Sequence, residues 1–289
     1  MTENFLQLMI NGILLGSVYA LVALGLTLIF GVMDIVNFAH GEFLMLSMYI
    51  TFWLFKLYGI DPYISLLIVI PAFFAIGLLT QKAVINPLLG RPMYVPLFAT
   101  AGLGTAMQNA ALFFWKSDYR IAATSYSDTV LNLGSLKLPF PLLMAFVGSI
   151  LVMLALNVLL KKTLIGKAIR AVAQHQRGAA IVGINIKNIY YFTFGIGIAC
   201  VGIAGVLLSP CYYTFPMVGF HFVIVAFVIV VLGGMGNLFG AFVGGLIIGL
   251  VEQFSGFFLS PHLKEAVYFI MFIMILWIRP GGLFGKAGR

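Results

Sequence analysis

Long runs without a charged side chain, broken by short polar stretches, organise this chain. No charge falls between Asn4 and Met33, so a first membrane-length helix is predicted over Phe5–Phe30. Further apolar segments are Ala39–Phe55, Pro62–Gln81, Pro96–Trp115 and Phe140–Leu160. After Lys187 no formal charge recurs until Glu252, although His221 interrupts. At 1.5 Å per residue that run is about 95 Å of helix, roughly three passes of a 30 Å hydrocarbon core. It divides into Ile189–Ser209, Phe222–Gly234 and Leu238–Phe258, and Ala266–Ile278 closes the set. Phe222–Gly234 is short and reads as a half-helix or re-entrant piece. The predicted fold is an all-α, polytopic transmembrane helical bundle of eight or nine segments, some glycine-broken or half-helices.

One interruption stands apart. Gly31–Phe43, GVMDIVNFAHGEF, holds Asp34, Asn37, Phe38, His40 and Glu42 between apolar segments. The uncharged run after it, Phe43–Phe55, is too short to cross a bilayer, which takes about 20 residues. The crossing must therefore reach back through Glu42 and His40. Ionisable groups at such depth cost roughly 2.5–3.5 kcal/mol each on insertion scales and mark transport paths. On a continuous helix Asp34, Asn37, Phe38, Gly41 and Glu42 share one broad face and His40 points away. An unwound turn, with Ala39 or Gly41 opening the next helix, would place a helix N-terminus where an anion can bind. The plainer alternative is a cytoplasmic connection in which Asp34 caps a helix.

A second glycine-rich break, Leu232-Gly-Gly-Met-Gly236, precedes Phe239–Gly245, and Gly234 and Gly236 mark it. Paired interrupted segments are a pointer to a midplane site in transporters, and an internal repeat is one reading of the pair. The spacing Gly236-x3-Gly240-x3-Gly244 allows another helix to approach closely, which simple packing also explains. Glu252 follows on the same segment, as a pathway group or as an acid that snorkels to the outer surface.

Composition removes the soluble classes. The 289 residues are 62% hydrophobic and 8% charged, against about 25% charged in ordinary soluble domains. Uncharged runs of this length mean helices, since a barrel reads as short alternating segments. Residues 1–289 read as one transmembrane domain. The net charge of +8 sets orientation and does not mark a nucleic-acid partner. The loop Lys161–Lys187 carries six basic residues and no acid, so it is expected in the cytoplasm. Lys82, Arg91, Arg279, Lys286 and Arg289 join it, making 11 basic residues inside against five outside, Lys56, Lys116, Arg120, Lys137 and Lys264. With nine passes the N-terminus lies outside. Met1–Asn4 has Glu3 and no Lys or Arg, so no cleavable signal is expected. Cys200 and Cys211, about 16 Å apart if one helix holds both, read as free thiols. His221 and the turn between Pro210 and Pro216 belong to an outer loop, and Trp115, Tyr212, Tyr213 and Trp277 suit interfacial belts.

The inner loop has its own pattern. Ile165, Ile169, Val172 and Ala173 recur at helical spacing with Lys167, Arg170 and Arg177 around them. Ala179, Ala180 and Gly183 form a small-residue patch. A short amphipathic helix, or a pair, is predicted at the cytoplasmic face. It could lie on anionic lipid. Its length and small-residue edges fit docking of a soluble partner better. No phosphate-binding G-x4-G-K-[ST] loop, metal-ligand cluster or nucleophile elbow occurs. If ATP drives transport, another polypeptide hydrolyses it.

Gly25–Leu46, Leu164–Asn185, Val230–Glu252 and Arg279–Gly285, in that order, resemble permease subunits of branched-chain amino-acid ABC importers, most closely the first permease of the pair. The resemblance implies alternating access, a heterodimer with a second related permease, two cytoplasmic ATPases using ATP and Mg, a periplasmic binding protein and a bacterial inner-membrane location. No cofactor is expected in this chain. It also implies ATPase coupling through Gly166, Lys167, Arg170, Ala171, Gln174, Ala179, Ala180 and Gly183. Asp34, Asn37, Phe38, His40, Glu42, Gly234, Gly236 and Glu252 are the expected pathway or gate. Met33, Phe38 and Met235 would supply apolar lining. The competing readings are a related permease for urea or short amides, an autonomous channel or ion-coupled carrier, and an intramembrane enzyme or scaffold.

Overall fold

The computed structural model describes residues 2–134, 136–260 and 262–285. Lys286 and Arg289, counted among the inner charges, lie outside the described residues. The helices are α1 (Thr2–Met33), α2 (His40–Tyr58), α3 (Pro62–Thr80), α4 (Tyr94–Trp115), α5 (Phe140–Lys162), α6 (Leu164–Gln174), α7 (Gln176–Ile181), α8 (Ile186–Leu208), α9 (Val218–Gly233), α10 (Leu238–Phe258) and α11 (Lys264–Ile278). α3 continues through a π-helical turn, Gln81–Ile85. Among the described residues five helices are long and apolar enough to cross a membrane: Phe5–Met33, Pro62–Leu88, Phe140–Lys162, Ile186–Leu208 and Leu238–Phe258. α2 and α4 are of crossing length, and α9 and α11 are shorter, with 16 and 15 residues. With α6 and α7 set aside, nine segments among the described residues form the bundle.

α1 and α8 are buried on nearly all sides. Val18–Leu24 on α1 and Phe194, Ile198, Val201 and Val206 on α8 are fully or almost fully buried. This explains why both read as uniformly apolar, since a helix hydrophobic all round has no solvent face. α3, α5 and α11 instead present Leu67, Leu151, Ile273 and Trp277 outward, toward lipid. Side chains gain little by leaving lipid for protein, so helix association depends on close backbone approach. Gly16 of α1 meets Gly245 and Leu246 of α10, and a Cβ there would lie 2.6 Å from the Gly245 carbonyl.

The all-α bundle carries one short addition: Val130–Leu133 and Leu136–Pro139 form an antiparallel hairpin between α4 and α5. Gln7, near the start of α1, donates to the Lys137 carbonyl and accepts from its N–H, fixing the hairpin beside the N-terminus. A single helix does not hold both cysteines, because α8 ends at Leu208; both thiols are nevertheless free.

Around the hairpin the outer connections are well tied. Arg120 pairs with Thr214 through two backbone hydrogen bonds and donates to the Trp115 carbonyl. The Tyr126 hydroxyl donates to Asp61 at 2.7 Å. Burial first, and Asp61 second, push the Tyr126 hydroxyl well above the ordinary tyrosine range.

Candidate translocation site

α1 stops at Met33 because Asp34 takes a left-handed backbone, φ 53°, while its N–H still bonds the Phe30 carbonyl. The Asp34 side chain is not what ends the helix, and no side-chain cap is formed with it among the described residues. The chain then runs irregularly to His40 and turns back into the bundle. His40 is fully buried, and its Nε2 donates to the carbonyl of Val22, well inside α1, at 3.2 Å. The second apolar segment therefore begins within the protein and not at a surface.

α4 stitches the irregular stretch through Thr100, a residue that no sequence pattern singles out. Its hydroxyl accepts from the Phe38 N–H and reaches the Val36 and Leu97 carbonyls, each contact 3.0–3.2 Å. Asn37 is 1% exposed; its Oδ1 accepts from the Ala39 N–H at 3.1 Å while its Nδ2 has no partner among the described residues. Glu42 is buried beside Gly104 of α4, and its Oε2 is likewise unpartnered. His40 and Glu42 face opposite neighbours, α1 and α4, as two residues at 100° each require. Phe38 is half-buried and stacks on Phe227 of α9, centroids 6.2 Å apart. Buried polar atoms without partners are uncommon in native interiors, and three of them cluster at this break with the bare Nδ1 of His40 included.

The α2 and α9 starts meet directly. Gly41 and Gly219 touch backbone to backbone, so a side chain at either would strike the other's carbonyl. Neither helix start has a side-chain cap. Two positive helix ends therefore converge beside the unpartnered Asn37 amide.

The second break contacts the first. Gly234 (φ 97°) and Gly236 (φ 82°) hold conformations that suit glycine. Gly236 lies against Gly31: a Cβ on Gly31 would be 2.5 Å from the Gly236 Cα. Met235 projects outward, 49% exposed, whereas Met33 is buried. The Arg279–Gly285 stretch returns onto this break: Leu283 N–H donates to the Leu232 carbonyl at 2.7 Å and Asn237 Nδ2 to the Phe284 carbonyl at 2.9 Å.

α6 joins both breaks. Ile169, Arg170 and Ala173 line a cavity of about 70 Å³ with Thr27, Gly31, Gly236 and Leu160. Gly166 sits tight on the Leu159 carbonyl, and Ile169, Val172 and Ala179 face the bundle. Ile165, expected on that inner stripe, is 44% exposed instead, lying in the first turn of α6 after the Thr163 cap. Lys167, Arg170, Gln174, Arg177, Ala180 and Gly183 are exposed, and Ala171 is half-buried. Leu164, Ile181 and Val182 stand out among these charges, each more than three-quarters exposed or at 75%. His175 separates α6 from α7 and caps α7 by accepting from the Gly178 N–H at 2.8 Å. Gln176 donates to the Tyr190 hydroxyl, and Tyr190 lies within electrostatic reach of Asp34.

Glu252 lies apart from this seam. It does not snorkel: it is 3% exposed and accepts from Lys264 Nζ at 2.7 Å.

The family described as branched-chain amino acid transport system / permease component matches residues 8–276. The high-affinity branched-chain amino acid transport system permease protein BraD of Pseudomonas aeruginosa is 32% identical, over 98% of this chain and 96% of its own length. LivH of Escherichia coli K12, described in the same terms, is 31% identical over 98% and 96%. A probable branched-chain amino acid transport permease protein LivH of Methanocaldococcus jannaschii is 29% identical over 95% and 91%. No solved structure matches. A family match over residues 8–276, which takes in both breaks and α6, makes this chain a member of the branched-chain amino acid transport permease family, a multi-pass membrane transport component.

Proposed function

We infer that this chain is the transmembrane subunit of an ATP-driven importer that moves leucine, isoleucine and valine inward by alternating access, in the inner membrane of a bacterium. The observation that carries the reading is the cavity where α6 touches both helix breaks at once, through Arg170, Gly31 and Gly236. A force applied to α6 from the cytoplasm has a short path to the seam.

The partners are those the family resemblance implies, and the α6–α7 surface suits one of them. Leu164, Ile181 and Val182 are exposed on the same segment as the exposed Lys167, Arg170 and Arg177, an apolar surface with basic neighbours in sequence that would suit a groove on an ATPase. Two such ATPases bind the nucleotide and Mg. A second related permease completes the pathway, and a periplasmic binding protein delivers substrate. An aliphatic zwitterion needs an apolar wall and dipoles for two charges. The Phe38–Phe227 pair supplies the wall. The Asn37 amide, the paired helix starts at Gly41 and Gly219, and the Glu42 carboxylate supply the dipoles and charge.

The test uses the complex reconstituted in proteoliposomes. Asn37→Leu and Glu42→Ala should each lower leucine uptake while assembly, followed by co-purification, is retained. Uptake at the native rate in both variants removes the pathway assignment.

A further inference from the structure

Glu252 is buried where the break chemistry does not need it. Its Oε1 is satisfied by Lys264 Nζ at 2.7 Å, but Oε2 has no partner among the described residues. Tyr19 of α1, Tyr212 of the α8–α9 connection and Tyr268 of α11 all lie within electrostatic reach of this carboxylate. Phe222, in the second turn of α9, sets its ring edge-on to both Tyr19 (6.0 Å) and Tyr212 (5.7 Å). A carboxylate walled by aromatic rings is the chemistry that receives a primary ammonium: the oxygens take N–H donors and the rings tolerate the charge. One ammonium is already there, on Lys264, whose side chain is 36% exposed and so has a way out.

Position adds to chemistry. α10 leaves the inner break at Leu238, and Glu252 is in its final third, two residues before Phe254, which packs on Phe5 at the start of α1. This is the end of the bundle away from α6. His221 and Glu265, 3.8 Å apart, lie just beyond, at the rim. Phe222 is one turn past Gly219, and Gly219 touches Gly41 at the break. The first turns of α9 thus connect the Glu252 pocket to the Asn37–Glu42 seam.

The geometry points to Glu252 as an ammonium-exchange site at the outer mouth, with Lys264 as its resident ligand. The α-ammonium of an arriving amino acid displaces Lys264 into water and uses the bare Oε2 for a further hydrogen bond. No bond is made or broken and no proton moves; one cation replaces another. The exchange also explains why a zwitterion can enter cheaply, since the buried carboxylate is never left without a cation. The site rests on the amino-acid transport reading above.

The experiment uses the assembled complex in nanodiscs, without the delivering protein. Three ligands are compared: leucine, isoamylamine, which has the ammonium but no carboxylate, and 4-methyl-2-oxopentanoate, which has no ammonium. In the native complex, hydroxyl-radical labelling of Lys264, which does not select for amines, read by peptide mass spectrometry against an exposed reference peptide, should rise with leucine and with isoamylamine and stay level with the keto acid. Lys264→Met should tighten leucine binding about tenfold, equivalent to ~1.4 kcal/mol, and Glu252→Gln should abolish it. Level Lys264 labelling with all three ligands overturns the site, and it does so without any variant having to fold. So does unchanged leucine affinity in a folded Lys264→Met. If isoamylamine releases Lys264 while the native complex carries no leucine in proteoliposomes, the ammonium site stands and the substrate assignment falls.

Discussion

Gly31→Ala is a clean probe of the contact between the two helix breaks. Gly31 is inside α1, with ordinary helical backbone, so alanine brings no conformational strain and is by itself the better helix former by roughly 1 kcal/mol. The cost comes only from space. The new Cβ would lie 2.5 Å from the Gly236 Cα, a backbone atom, and ordinary contact begins at 3.4 Å, so the breaks must part by about 0.9 Å to restore it. Gly236 has little freedom to move, because its φ of 82° and the neighbouring Asn237–Phe284 hydrogen bond fix the turn. Overpacking of this kind costs about 1–3 kcal/mol, and the net loss of stability should be the lower part of that range. The larger effect should be functional, since the displaced atoms line the cavity against Arg170. The assay pairs leucine uptake with ATP hydrolysis in proteoliposomes, with thermal unfolding in detergent alongside. Uptake should fall several-fold while hydrolysis persists. Gly256→Ala is the control, because nothing lies within 4 Å of a Cβ there. Native uptake and an unchanged melting point in Gly31→Ala would refute the claim that the contact between the two breaks matters to transport.

Other outcomes follow from single contacts. Arg170→Glu should weaken association with the ATPase subunits by about tenfold or more, read by co-purification, because it reverses a charge on the segment that carries the exposed apolar surface. Asn237→Ala removes both the cap on Gly240 N–H and the bond to the Phe284 carbonyl; an unfolding loss of about 1–2 kcal/mol and faster proteolysis of the C-terminal stretch should be seen. Tyr126→Phe breaks the outer tie to Asp61, leaving a part-exposed carboxylate; about 1 kcal/mol of stability should go, with uptake kept. Burial pushes the Cys211 thiol up to about 12, so maleimide labelling at this residue should be slow at neutral pH and quicken as pH rises toward 10.

Much of the fold was readable from charge spacing alone. Leu238–Phe258 has the predicted ends, and α3 begins at the predicted Pro62, where Asp61 caps it by accepting from the Tyr63 N–H. Ends set by geometry rather than composition were missed by a few residues: α9 begins at Val218, four before Phe222, because it starts on the Gly41 contact. The hairpin escaped because VLNL and LKLP are too short for alternation to stand out in a loop. At the site, the unwound stretch and the divergence of His40 from Glu42 follow from helical angles, but the partners do not. Thr100 looks like any helical threonine. Glu252 and Lys264 are twelve residues apart across a turn, and no periodicity links them. The docking face was half legible: Lys167 and Arg170 were visible as charges, whereas the outward turn of Ile165 departs from the apolar spacing and shows only in three dimensions.

If α6 delivers force and the glycine breaks receive it, Arg170→Glu and Gly31→Ala act on one joint from two sides. They are distinguishable from independent lesions by their combination. Effects at unconnected positions add within about 0.3–0.5 kcal/mol, whereas groups sharing a cavity show coupling of about 0.5–3 kcal/mol. Arg170 and Gly31 line the same small cavity, so they belong to the second class. Once the breaks are forced apart by the Gly31 Cβ, loss of the Arg170 contact has little further motion to disconnect. The double variant should therefore carry leucine about as well as the worse single variant, measured at saturating ATPase so that assembly does not limit uptake. Additive losses would mean that α6 reaches the seam by another route, and the cavity would then be a packing gap without a part in transport.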